Sequence, residues 1–233
     1  MNKADTKLRV AVLGMTPYQK ALEFQLKLLE LRRRGEIGDV LLLLEHPPVI
    51  TIGYRDNSEH ILAGKEFLAG QGIGVFKTNR GGDVTYHGPG QIVGYPIMDL
   101  RGMGGDIRGF VWKLEEVFIR LLKDEYGIFA ERGGKGYTGV WAGGEKIAAI
   151  GIAVKEGVTM HGFAFNVNTR LEHFRWIVPC GIPDRGVTSL EKILGIKQDM
   201  EKVYRQVREF FCRIFGRTAE SARKGLDLKE SEI

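Results

Sequence analysis

Cysteine is scarce in this chain of 233 residues: Cys180 and Cys212 are its two thiols. Two cysteines build no disulfide framework, so stability has to come from an apolar core, and the apolar content is ordinary for a globular protein. No stretch is apolar for long enough to span a bilayer. Met1 to Lys7 carry charge but no hydrophobic signal segment, which predicts a cytoplasmic protein. Basic residues nowhere alternate with stacking aromatics, so the net charge of +5 favours acidic partners in general without pointing to nucleic acid. The histidines, His46, His60, His87, His161 and His173, include no pair at zinc-ligand spacing. No glycine-rich loop ends in Gly-Lys-Ser or Gly-Lys-Thr, which excludes a P-loop. The Gly102-x-Gly104-Gly105 cluster reads as the loop that starts the next helix, with a phosphate cradle as the alternative.

What the chain does have is the stretch Arg80-Gly-Gly-Asp-Val-Thr-Tyr-His-Gly-Pro-Gly-Gln91, followed by the apolar run Ile92 to Met98. The run reads as a strand. The glycines before it let backbone approach something closely, and the polar heads among them suit the wall of a binding site. A long glycine-rich hairpin loop is the plainer alternative.

Periodicity supplies the rest of the frame. Leu8–Leu13 predicts a strand, and Thr16 and Pro17 read as the N-cap and first residue of a helix that Gly35 closes after Arg34. Val40–Glu45 predicts a buried strand, broken by Pro47-Pro48, with Val49–Gly53 extended beyond. Residues 55–72 read as irregular with a short helix near Lys65–Ala69, and Ile73–Lys77 as a further strand. Two apolar stripes, Ile107 to Leu122 and Met200 to Phe215, predict long helices packed on a core that includes Cys212 or leaves it at the helix surface. Tyr137–Ala142, Lys146–Val154 and Gly162–Val167 are strand candidates. Strands cluster mid-chain without strict strand–helix alternation, so the fold class is α+β: a mixed β-sheet packed by helices in a single domain. That domain is expected to span 1–216, with 217–233 a charged C-terminal tail, loosely helical or disordered.

Lys146 begins an apolar strand face shared with Ala148, Ile150, Ile152 and Val154. Such a lysine either snorkels at a sheet edge or is aimed into a pocket. Cys180, between Pro179 and Gly181, sits at a sharp backbone feature. An ammonium close to a thiol stabilises the thiolate, so the two make a chemically sensible pair if the fold brings them together.

These blocks together resemble the lipoyl(octanoyl) transferases, the enzymes that move an octanoyl group from a carrier protein in lipoate biosynthesis. The likeness is carried by Arg80–Gln91 and its strand to Leu100, Lys146-Ile-Ala-Ala-Ile-Gly151, His161-Gly-Phe-Ala-Phe-Asn-Val167, Val178-Pro-Cys-Gly-Ile182 and Gly186-Val-Thr-Ser-Leu190. It covers roughly residues 8–215, in the family's order and spacing. The resemblance implies the fold shared by biotin and lipoate protein ligases. It implies that Cys180 is the nucleophile that carries the acyl group as a thioester, and that Lys146 stabilises its thiolate and shuttles protons. It implies substrate contacts from Arg80, Gly81, Gly82, Asp83, Val84, Thr85, Tyr86 and His87, from Ala149, Ile150 and Gly151, and from Gly162, Phe163 and Ala164. Asp83 and Glu145 depart from the family pattern without touching the chemistry. The implied donor is octanoyl-acyl carrier protein; the implied acceptors are lipoyl domains of 2-oxoacid dehydrogenase complexes and the glycine cleavage H protein. No cofactor, metal, nucleic acid or membrane is expected, and the chain is read as a monomer. The rival readings are an ATP-dependent lipoate or biotin ligase of the same fold, and a non-catalytic module that binds lipoyl domains or nucleic acid.

Overall fold

A computed structural model describes residues 6–134, 136–178 and 185–221. Cys180 therefore lies outside the described residues. The chain begins with strand β1 (Lys7–Met15), helix α1 (Tyr18–Arg34), β2 (Asp39–Glu45) and β3 (Val49–Ile52). Helix α2 (Lys65–Gly70), β4 (Gly74–Lys77), β5 (Thr85–His87) and β6 (Gln91–Ile97) follow, then the long helix α3 (Ile107–Tyr126). The second half holds β7 (Glu131–Arg132), β8 (Val140–Ala142), β9 (Glu145–Lys155), β10 (Val158–Asn166), α4 (Leu190–Leu194), α5 (Met200–Phe215) and β11 (Thr218–Ser221).

The strands form two sheets. The larger has the order β11-β1-β2-β6-β10-β9-β8-β7, and the smaller β4-β3-β5. The large sheet is mixed: β1 runs parallel to β2 and β11, while β2, β6, β10 and β9 pair antiparallel in turn. Val40 to Leu44 of β2 are wholly buried, because the sheet is covered on both faces here and this strand is an interior one, flanked by β1 and β6. Leu41, Leu43, Ile92, Phe163 and Phe165 meet α3 and α5 on one face. Leu42, Leu44, Val93, Tyr95 and Ala164 meet Ala21, Leu28 and Leu29 of α1 on the other. The small sheet has its own core, in which Ile50, Ile52, Val84 and Tyr86 pack on Leu68 and Phe174. The expected α+β class and mixed sheet are what the structure has. Among the described residues no helix is long and apolar enough to cross a membrane.

Four local expectations change. Helix α1 starts one residue later than read: Pro17 is its N-cap with ψ 142°, and the Thr16 hydroxyl turns back toward the Leu13 and Gly14 carbonyls instead of capping. The Thr16 N–H donates to the Glu45 carbonyl, which holds this residue against β2. The glycine-rich stretch is not one loop, since Thr85–His87 pairs with β3. Of the candidate Tyr137–Ala142, only Val140–Ala142 is strand; Gly139, at φ 126°, bends the chain into it. Thr218–Ser221, read as the start of a loose tail, is an edge strand parallel to β1. Cys212 is buried on α5, and burial raises its thiol pKa.

Asp39 fastens that edge. Its carboxylate accepts from Arg32 Nε at 2.8 Å, from Arg217 Nη2 at 2.7 Å and from the Asp99 N–H at 3.1 Å, and the residue is buried. Removing it takes the buried carboxylate from between two guanidinium groups that are themselves largely covered, although Arg32 keeps Asp99 Oδ2 at 3.6 Å. Asp39→Ala is expected to cost about 3–5 kcal/mol, measured by urea unfolding; a loss under about 1 kcal/mol would show that the cluster is not what holds the edge strand.

Candidate active site

The site is built where bare backbone lies on bare backbone. Gly94 of β6 faces Phe163, and Gly162 of β10 pairs with Gly151 of β9. On top of this line sits the glycine-rich loop: the Gly81 N–H donates to the Ile152 carbonyl at 2.8 Å. A side-chain carbon at Gly151 would lie 2.6 Å from the Gly81 carbonyl oxygen, closer than atoms tolerate, so the approach requires glycine there.

This crossing separates two cavities. The inner one, of about 50 Å³, has Arg80, Gly81, Gly82, Asp83, Thr85 and His87 on one wall. Ala149, Ile150 and Gly151 from β9 and Gly162, Phe163 and Ala164 from β10 form another. The outer cleft, of about 550 Å³, shares Gly81, Gly82, Ile150 and Gly151 with it and adds Lys146 and the start of α3. Of the residues that the resemblance assigned to substrate, Val84 and Tyr86 are not on the cavity wall. Alternation along the strand turns them into the small sheet's core, where the Tyr86 hydroxyl lies 2.7 Å from His173 Nδ1.

Sequence reasoning missed a third wall. Tyr18, Thr51, Val93, Tyr95 and His161 also line the inner cavity. They come from four separate places in the chain, and only the strand that holds Val93 and Tyr95 and the block around His161 carried any signal. His161 stands at φ 56° within β10, a left-handed backbone that costs a non-glycine residue about 1–3 kcal/mol. Its N–H donates to Gln25 Oε1 at 2.8 Å, and its Nε2 lies 2.7 Å from Asn79 Oδ1.

The polar heads are wired to one another. Arg80 Nη2 donates to the Thr51 and Asp83 carbonyls at 2.7 and 2.6 Å, so this arginine braces the loop as well as facing the cavity. His87 Nδ1 lies 2.8 Å from Gln91 Oε1, whose amide nitrogen donates to Asn166 Oδ1 at 2.9 Å. Asn166 Nδ2 donates in turn to the Thr188 carbonyl at 3.0 Å. His46 bridges the Thr16 carbonyl and the Tyr95 hydroxyl. Burial would raise the Asp83 carboxyl pKa, but hydrogen bonds from His60, Asn57 and the Val84 N–H outweigh it and hold the group below its ordinary value.

Lys146 is buried, with Nζ 4.9 Å from the centre of the Trp141 ring. Of the two readings of its strand position, the pocket-facing one holds. Its backbone is held on both sides: its N–H donates to the Gly186 carbonyl at 3.0 Å, and its carbonyl accepts from the Thr188 N–H at 2.9 Å. Arg185 lies over the same Trp141 ring at 5.1 Å. On the other flank of residues 179–184, the Val178 N–H donates to the His60 carbonyl at 2.7 Å, and His60 Nδ1 bonds Asp83 at 2.9 Å. Both described flanks of the stretch that contains Cys180 are thus tied to the site, one to its glycine-rich wall and one to Lys146.

Three histidines at the site are held neutral. Burial pushes His46 and His161 down to about 4 and His87 to about 3, with neighbouring cationic charge adding to the last two. Unfolding restores an ordinary value near 6.5, so the unfolded chain binds more protons below that pH. The stability these groups allow is complete above about pH 6.5 and is lost as pH falls toward 4. Unfolding free energy is expected to be about 4 kcal/mol lower at pH 5.5 than at 7.5, roughly 1.3 for each imidazole. A flat profile in urea titrations over that range would contradict buried neutral histidines.

Comparison with known proteins agrees with this geometry. A family model for the lipoyl protein ligase A/B catalytic domain matches residues 17–212, and the chain belongs to that family. An octanoyltransferase of Caldicellulosiruptor saccharolyticus is 63% identical over 210 residues, covering 90% of this chain and 89% of the relative. Among solved structures, lipoate-protein ligase A bound with ATP superposes with TM-score 0.73 at 18% identity, over 98% of this chain and 92% of that one. A bipartite lipoate protein ligase of Thermoplasma acidophilum gives 0.72 at 17%, over 98% and 90%. The fold is that of the biotin and lipoate protein ligases.

Proposed function

We propose that this protein moves an octanoyl group from octanoyl-acyl carrier protein to the acceptor lysine of a lipoyl domain, through a thioester on Cys180. The chain is an acyltransferase of the octanoyltransferase kind. Lipoyl domains are its acceptors in general; those of 2-oxoacid dehydrogenase complexes and the glycine cleavage H protein are the particular ones proposed. The observation that carries the reading is the placing of buried Lys146 on the wall of the outer cleft, which adjoins the inner cavity at Gly81, Gly82, Ile150 and Gly151, with its backbone clasped by Gly186 and Thr188, just downstream of Cys180.

The chemistry balances without an outside energy source. The Cys180 thiolate attacks the donor's carbonyl carbon; a new C–S bond forms, the old one breaks, and the departing thiolate takes a proton from the Lys146 ammonium. The acceptor amine then attacks the acyl-enzyme. Neutral Lys146 takes its proton, an amide forms and the Cys180 thiolate returns. One thioester replaces another at nearly equal energy, and the amide lies downhill, so ATP is not required. The narrow cavity walled by Gly81, Gly151 and Gly162 suits a slim alkyl chain running against backbone. The neutral imidazoles of His87 and His161 position groups there without adding charge beside an apolar chain.

Incubated with octanoyl-acyl carrier protein and no ATP, the protein is expected to gain one octanoyl mass, located by peptide analysis on Cys180. Cys180→Ser is expected to lose transfer to a lipoyl domain by at least about a thousandfold. A serine variant with full turnover would sink the covalent route; turnover that appears only with free octanoate and ATP would make the protein a ligase.

A further inference from the structure

The outer cleft is far larger than a reacting lysine needs, and its chemistry is particular. One wall is the first part of α3, where Ile107 and Trp112 are 46% and 52% exposed although both are large and apolar. The facing wall is the glycine-rich turn at Gly133, Gly134 and Gly136. Arg108 of α3 and Arg55, from the loop after β3, also line the cleft. Both are exposed, and neither pairs with a carboxylate among the described residues. By contrast Arg132, close by, binds Glu115 and Glu116 and lies 4.1 Å from the Trp112 ring centre. Glu115 is the one carboxylate among the described lining residues. It is occupied, accepting from the Gly139 N–H at 3.0 Å, with Arg132 Nε at 3.4 Å. The cleft therefore offers two uncommitted guanidinium groups and open apolar surface; Lys146 is on its wall, and it borders the inner cavity at Gly81, Gly82, Ile150 and Gly151.

We infer that this cleft holds the phosphorylated pantetheine arm of the donor, with Arg55 and Arg108 on its phosphate and Ile107 and Trp112 against its methyl and methylene groups. The assignment rests on the acyl-transfer reading, because it is the thioester at the arm's far end that must reach Lys146 and the inner cavity. A long, uncharged, amide-bearing arm capped by a phosphate matches a volume of about 550 Å³ with cations at its edge. An acceptor lysine matches it poorly: its side chain is short, and its ammonium is repelled by both guanidinium groups. The cleft thus divides the labour of the site, with the donor's arm entering over α3 and the acyl chain passing beyond Gly81 and Gly151.

Two small thioesters that differ only in the phosphate test this, S-octanoyl phosphopantetheine and S-octanoyl pantetheine, each assayed for acylation of the full-length protein and for transfer to a lipoyl domain. The unaltered protein is expected to favour the phosphorylated compound in kcat/KM by about fivefold or more, through KM. In the Arg55→Ala/Arg108→Ala double variant the two compounds are expected to reach parity. Parity in the unaltered protein, or a preference that survives the double substitution, overturns the assignment. A higher KM for the lipoyl domain with the donor preference intact gives the cleft to the acceptor and likewise overturns it. Failure of both thioesters to acylate the unaltered protein overturns the acyl-transfer reading together with it.

Discussion

Everything at this site depends on one close approach, the Gly81 backbone resting on the Gly151 backbone. The hydrogen bond from the Gly81 N–H to the Ile152 carbonyl joins the loop carried by the small sheet to β9 of the large one. Without side chains at either position, the two sheets come near enough for the crossing to act as a partition with a gap. The inner cavity lies on one side and the outer cleft on the other, and the same four residues border both. Any side chain at Gly151 would lift the loop and merge or close them. Next to Gly151 across the strand pair, Gly162 makes a second close approach of the same kind, since a side-chain carbon there would lie 2.2 Å from the Gly94 carbonyl oxygen.

A second constraint is the hydrogen-bonded chain from His87 through Gln91 and Asn166 to the Thr188 carbonyl. Thr188 then donates to Lys146. The inner-cavity wall that carries His87 and the strand that carries Lys146 are thereby built as one unit. Buried polar groups satisfied in series are rigid, and each amide fixes the orientation of the next. The neutral histidines belong to the same logic. Held far below ordinary imidazole values by burial, they serve as hydrogen-bonding groups across the whole neutral pH range.

The parts of this arrangement that were legible in the sequence are those whose cause is local. The helical stripes of α3 and α5, the buried run of β2 and the glycine-rich wall all follow from periodicity or composition within a dozen residues or so. Lys146 was legible as a lysine out of place on an apolar strand face, though its neighbours were not. Tyr18 and Thr51 left no mark, and Tyr95 and His161 lay in informative blocks without being singled out, because each comes to the cavity by tertiary packing from a different element. The strand at Thr218–Ser221 was hidden for a related reason. It is short, polar and charged, and it is held by pairing to β1 and by Arg217 on Asp39, partners about two hundred residues and 178 residues distant in sequence. Val84 and Tyr86 show the reverse error, since a motif shared as a block includes residues that serve the core by strand alternation.

The central claim is that Lys146 and Cys180 act as a pair, and the pH dependence of Cys180 alkylation tests it most directly. Iodoacetamide labelling, resolved by peptide mass from that of Cys212, gives the rate at each pH. The account expects Lys146→Ala to move the Cys180 profile upward by about one pH unit or more, with the Cys212 profile unmoved. A Cys180 profile that is the same in both proteins would contradict it.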